Sequence, residues 1–118
     1  MLKDENRLKK RKEFAYLYSH GDAKHTANLT AVFLPTKHRM LKIGFSISKK
    51  IGKAHTRNLI KRRLRAIVRE EVVNLPDEYN LVIIARTGVD TLTFEQLKDQ
   101  VDQLLRKTGL YCHVENNN

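Results

Sequence analysis

This 118-residue chain has one cysteine, no tryptophan, two prolines and only thirteen acidic residues against 23 basic ones, and these shortages remove whole classes of protein. A lone cysteine closes no internal disulfide, and no Cys/His cluster has zinc spacing, which excludes disulfide scaffolds and structural zinc. No apolar run approaches the roughly 20 residues a membrane helix needs. The charged N-terminus carries no hydrophobic signal core, so the expected location is the cytoplasm. Gly44, Gly52 and Gly88 stand alone, so no glycine-rich phosphate loop is present. The five histidines are scattered, with His20 and His25 expected in turns or on the surface and His55 positioning a loop. No Ser/His/acid or Cys/His set emerges, and Cys112 falls near the C-terminus. Protein-borne catalysis is not expected.

What remains is charge and one modest core. The apolar fraction, 41%, sits a little below the globular norm and suits a single domain spanning residues 1–118. The net charge of +10 is segregated. Residues 1–69 hold 19 Lys/Arg and four acidic residues, whereas residues 70–118 hold four Lys/Arg and nine acidic residues. A solubility device spreads its charge. A one-sided excess points to a polyanion, either nucleic acid or an anionic membrane surface, against the plainer alternative of a solvated basic face. The acids lie where the cations do not, which argues against a two-metal nuclease centre.

Hydrophobic periodicity gives the order helix, strands, helix, strand, helix. Phe14, Leu17 and Tyr18 recur at helical spacing within residues 9–19, and Gly21 follows as a stop. Residues 29–34 read as a strand ended by Pro35, and residues 36–40 as a hairpin-like loop. In residues 41–48, Leu41, Ile43, Phe45 and Ile47 alternate with Lys42, Gly44, Ser46 and Ser48, the mark of a half-buried strand. A loop at 48–55 leads to a helix at 56–73, and a turn at 75–78 follows. The apolar run 81–85 is a strand covered on both faces. The last helix has a Thr93/Gln96 capping box, an apolar stripe of Leu97, Val101, Leu104 and Leu105, and Gly109 as its stop. The architecture is α+β, a small sheet with helices packed on it. If the strands flanking the second helix are parallel, the general rule makes their crossover right-handed.

The informative stretch is 48–69, with nine cations (Lys49, Lys50, Lys53, Arg57, Lys61, Arg62, Arg63, Arg65 and Arg69) and no acid. At ~100° per residue, Ile60, Leu64, Ile67 and Val68 form a stripe that covers the sheet. Asn58, Lys61, Arg62, Arg65 and Arg69 fall on a second stripe beside it. Like charges four residues apart repel by a few tenths of a kcal/mol per pair, so a purely structural helix would intersperse glutamates. A row of Arg and Lys suits phosphates, which the planar guanidinium grips in a bidentate way, and affinity for them should fall steeply with salt. Phe14 and Tyr18 sit one turn apart on the first helix, near the cluster Lys9-Lys10-Arg11-Lys12, and Phe33 lies in the next strand. The three either line a groove that stacks unpaired bases or belong to the core.

These residues resemble the protein component of bacterial ribonuclease P. The likeness covers nearly the whole chain: Arg7-Leu8 with Phe14 and Tyr18, the run from Ile43 to Ala54, Arg57-Asn58 with Lys61-Arg62 and Arg65, and Val82-Ile83-Ile84-Ala85-Arg86. Leu59 stands where the family pattern has a basic residue. It lies roughly 100° off the cationic row, so one RNA contact is lost locally and the row keeps its arrangement.

The resemblance implies an α-β-β-β-α-β-α two-layer sandwich, with a four-stranded sheet and a left-handed βαβ crossover. It implies the protein subunit of a ribonucleoprotein that matures the 5′ ends of tRNA, in which the RNA is the catalyst and Mg²⁺ is held mainly by that RNA. The protein supplies no catalytic side chain and no metal ligand. Lys49, Lys50, Lys53, Arg57, Asn58, Lys61, Arg62, Arg65 and Arg69 would bind RNA, and a cleft of Phe14, Tyr18 and Phe33 would hold the 5′ leader of precursor tRNA. The partners implied are ribonuclease P RNA and precursor tRNA, with no membrane and no obligatory protein partner. From charge and size alone, a small ribosomal or general RNA-binding protein is the alternative.

Overall fold

The apolar run at 81–85 becomes part of an interior strand in the computed structural model, which describes residues 11–35, 41–71, 75 and 79–109. That strand, β4 (Tyr79–Ala85), is the last of four. Before it come β1 (Asp22–His25), β2 (Leu29–Pro35) and β3 (Lys42–Ile47). The helices are α1 (Arg11–His20), α2 (Ala54–Glu71) and α3 (Phe94–Thr108), with 3-10 turns at Lys49–Ile51 and Val89–Thr91. The fold is α+β with a mixed sheet in the order β1-β2-β4-β3. β1 and β4 each run antiparallel to β2, while β3 runs parallel to β4, so α2 is the crossover between parallel neighbours. Arg7-Leu8, Lys9-Lys10, the loop at 36–40, the Val73 end of the second helix, the turn residues 76–78 and Cys112 lie outside the described residues.

The register sorts the side chains into two faces, since successive residues of a strand point to opposite sides. Phe33, Leu81 and Ile43 form one row across β2, β4 and β3, and Ala31, Ile83 and Phe45 the next. These residues belong to the larger core with Ile60, Leu64, Ile67 and Val68 of α2 and Leu97, Val101, Leu104 and Leu105 of α3. That packing is the expected helix-on-sheet sandwich. On the other face Val32 and Val82 pack with Leu17 of α1, joined by Phe14, Leu34 and Ile84. Thus α1 lies across the far side of the sheet from α2 and α3. Gly21 lets its C-terminus sit that close, because a Cβ there would come within 2.7 Å of the Leu17 carbonyl and 2.8 Å of Val32.

Three local features differ from the sequence reading or sharpen it. β1 was not located by periodicity, because all four of its residues are exposed and no apolar alternation marks it. α2 begins at Ala54, ahead of the expected 56, with no acidic residue in its first turn. α3 has its capping box: Gln96 N donates to Thr93 Oγ1 at 3.1 Å and Thr93 N to Gln96 Oε1 at 2.9 Å. Gly109 closes it at φ 74°, left-handed backbone that glycine adopts without strain.

α3 also ties the β1–β2 turn in place. Gln100 Oε1 accepts from Thr26 Oγ1 and from Asn28 N, both at 2.9 Å, and Gln100 Nε2 donates to Asn28 Oδ1 at 2.9 Å. Asn28 Nδ2 in turn donates to the Thr87 carbonyl at 2.7 Å, and Arg86 N donates to the Asn28 carbonyl at 2.8 Å. Four bonds on two side-chain amides and one backbone bond tie the β1–β2 turn to α3 and to the segment that follows β4.

Candidate nucleic-acid interface

The basic surface starts where β3 ends. Ser48 is extended and its Oγ accepts from Lys50 N at 3.0 Å, which turns the chain into a 3-10 turn. Ile51 is the buried anchor of that turn, so Lys49 and Lys50 face solvent. Arg57 then folds back on the loop, its Nε donating to the Gly52 carbonyl at 3.1 Å. It is half-buried, and no described carboxylate pairs with its guanidinium. Lys53 is exposed immediately before α2, where the partial positive charge of a helix N-terminus adds to its own.

Along α2 the two stripes separate as the wheel predicts. Ile60, Leu64, Ile67 and Val68 are buried, while Asn58, Arg62 and Arg69 are exposed and Lys61 and Arg65 half-buried. Leu59 is 38% exposed, off the row. Arg63 lies on the opposite flank and reaches the Leu92 carbonyl at 3.4 Å, so it braces α2 against the segment leading into α3. Two ion pairs occur among the described residues, Lys42–Glu13 at 3.2 Å and Arg106–Asp102 at 3.0 Å. Neither touches the row. No described carboxylate pairs with Lys49, Lys50, Lys53, Arg57, Lys61, Arg62, Arg65 or Arg69.

The aromatic set divides. Phe14 and Tyr18 stand together on α1, ring centroids 6.3 Å apart, with Tyr18 46% exposed. Phe33 does not join them. It is 8% exposed and packs in the larger core, on the opposite face of the sheet. The β2 residues that share the face of α1 are Val32 and Leu34. Alongside them the register sets Gly44 beside Val82, and Ser46 beside Ile84.

One residue near the basic surface was a sequence landmark but not a site candidate. Arg86 follows β4 and shares a cavity of about 280 Å³ with Ser48, Lys50 and Thr87. Its signal is the parallel register: Ile47 pairs with Ala85, so the residues after the two strands emerge side by side. Among the described residues no three His, Cys, Asp or Glu side chains converge as a metal site. No described helix is long and apolar enough to cross a membrane.

Residues 2–109 match the family model described as Ribonuclease P. The ribonuclease P protein component of Lactococcus lactis subsp. cremoris is 42% identical over 118 residues, covering 98% of this chain and 97% of its own. That of Bacillus pumilus is 37% identical over 111 residues, covering 93% of each chain. Among solved structures, the Staphylococcus aureus RNase P protein superposes with a TM-score of 0.86 at 24% identity, over 91% of this chain and 98% of that one. The Thermotoga maritima RNase P protein gives 0.78 at 24% identity, over 86% and 96%. The two solved structures speak for the fold, and the family model and the two sequence relatives for the lineage. The chain belongs to the ribonuclease P protein family, the protein component of the tRNA-processing ribonucleoprotein enzyme.

Proposed function

We propose that the 3-10 turn and α2 dock the chain on ribonuclease P RNA, and that the α1 face of the sheet holds the single-stranded 5′ leader of precursor tRNA. The observation that carries the docking is the basic surface itself: eight Lys and Arg from two adjoining elements and the link between them, with no described carboxylate paired to any of them. Phosphates supply the missing charge, and their counterions leave on binding. Asn58 sits at the head of the row as a neutral hydrogen-bonding group.

The leader site rests on Phe14 and Tyr18, whose partly exposed rings offer stacking surfaces for unpaired bases. Its floor is Val32, Leu34 and the Gly44–Ser46 edge in place of Phe33. Lys49 and Lys50 stand beyond the end of that edge, where a strand of RNA would need its phosphates met. The Mg²⁺ that supplies the hydrolytic chemistry would be held mainly by the RNA. The protein contributes affinity and position. It works in the cytoplasm, with the RNA and the precursor as partners and no obligatory protein partner.

Reconstitution tests this. Mixed with a bacterial ribonuclease P RNA, the protein should stimulate precursor-tRNA cleavage at low Mg²⁺, where the RNA alone is slow; no stimulation refutes the assignment. Tyr18→Ala should weaken binding of precursor more than of mature tRNA. Equal losses would move the leader elsewhere.

A further inference from the structure

The cationic row has a gap in it. Arg62, Arg65, Ala66 and Arg69 occupy positions i, i+3, i+4 and i+7 of α2, one face of the helix. Ala66 is exposed and carries a single methyl among three long side chains. Together the four residues enclose a depression of about 230 Å³. Its lining is almost wholly apolar, the Ala66 methyl and the stems of three arginines, and no described carboxylate pairs with any of those arginines.

A phosphate needs no apolar floor, and an apolar ligand needs no guanidinium rim. An unstacked nucleobase between two phosphates has both halves of that chemistry. The base is a flat, weakly hydrated plate on which guanidinium planes stack, and its flanking phosphates are anions within reach of the same groups. We propose that the depression over Ala66 is a base-binding slot, taking one bulged or flipped-out nucleotide of a structured RNA while Arg62, Arg65 and Arg69 hold the backbone on either side. This rests on the reading of α2 as an RNA-docking surface and adds a shape requirement to it. The surface would choose among folded RNAs by where an unpaired base projects.

The test uses the full chain and two RNA hairpins of equal length and charge, one fully paired and one with a single bulged 2-aminopurine. The protein should bind the bulged hairpin roughly tenfold more tightly, as one stacked base contributes, and the 2-aminopurine fluorescence should change on binding. Ala66→Leu fills the slot without altering charge at an exposed helical position. It should bring the bulged hairpin down to the affinity of the paired one and abolish the fluorescence change. Arg65→Lys keeps the charge and removes the plane, so the bulge preference should shrink while the salt dependence keeps its slope. Equal affinity of the wild-type chain for both hairpins, or a preference that survives Ala66→Leu, overturns the slot alone. Failure to bind either hairpin overturns the RNA-docking reading and the slot with it.

Discussion

α2 and α3 lie in the same layer and cover the same face of the sheet, yet they are built for different surroundings. Inward they are equivalent: Leu64 and Leu104 are both fully buried in one core. Outward they diverge. α3 has a complete capping box, a left-handed glycine stop, an internal Arg106–Asp102 pair and a glutamine that ties down a distant turn. α2 begins without an acidic residue in its first turn and strings Lys61, Arg62, Arg65 and Arg69 down one side with no described carboxylate to offset them. Each like-charged pair four residues apart costs a few tenths of a kcal/mol, so α2 is held by its buried stripe against its own repulsion. A helix that optimises itself is scaffold. One that leaves its charge uncompensated is what the proposed docking on RNA requires.

The comparison can be broken first at the core. Leu64→Ala and Leu104→Ala should each destabilise the protein by about 2–5 kcal/mol in chemical denaturation. A loss from one and not the other would end the claim of equal inward roles. Next comes the outward face of α2. Arg65→Glu should weaken binding to ribonuclease P RNA by roughly tenfold or more and flatten its salt dependence, with the melting transition little changed. Smaller is the cap of α3: Thr93→Ala should cost about 1 kcal/mol of stability and leave RNA affinity where it was. Smallest is Lys98→Glu on α3, which should alter RNA affinity by less than about twofold, since surface charges far from the contact are screened. If Lys98→Glu and Arg65→Glu weaken RNA equally, the binding surface is not α2.

Most of this contrast is legible in the sequence. Caps and stops are local chemistry, so Thr93, Gln96 and Gly109 announced α3, and the wheel separated Ile60, Leu64, Ile67 and Val68 from the cations without tertiary information. β1 was invisible because an edge strand exposed on every residue carries no alternation for a pattern to find. Phe33 lies in the core, away from the cleft that the resemblance implies, for a different reason. Both parities of β2 are largely apolar, Leu29, Ala31 and Phe33 on one side and Val32 and Leu34 on the other. Alternation therefore says which residues share a face, but not which helix covers that face. Arg86 needed the pairing of two strands far apart in sequence, which no local signal contains.

The strand order has a consequence for how the protein is made. β4 stands between β2 and β3, both of which precede it in the chain. A ribosome therefore delivers the guanidinium-bearing helix before the strand that joins the two halves of the sheet and before the helix that shares its layer. Throughout that interval the polycation exists as sequence without a platform. The last third of the polypeptide completes the platform on which that helix rests.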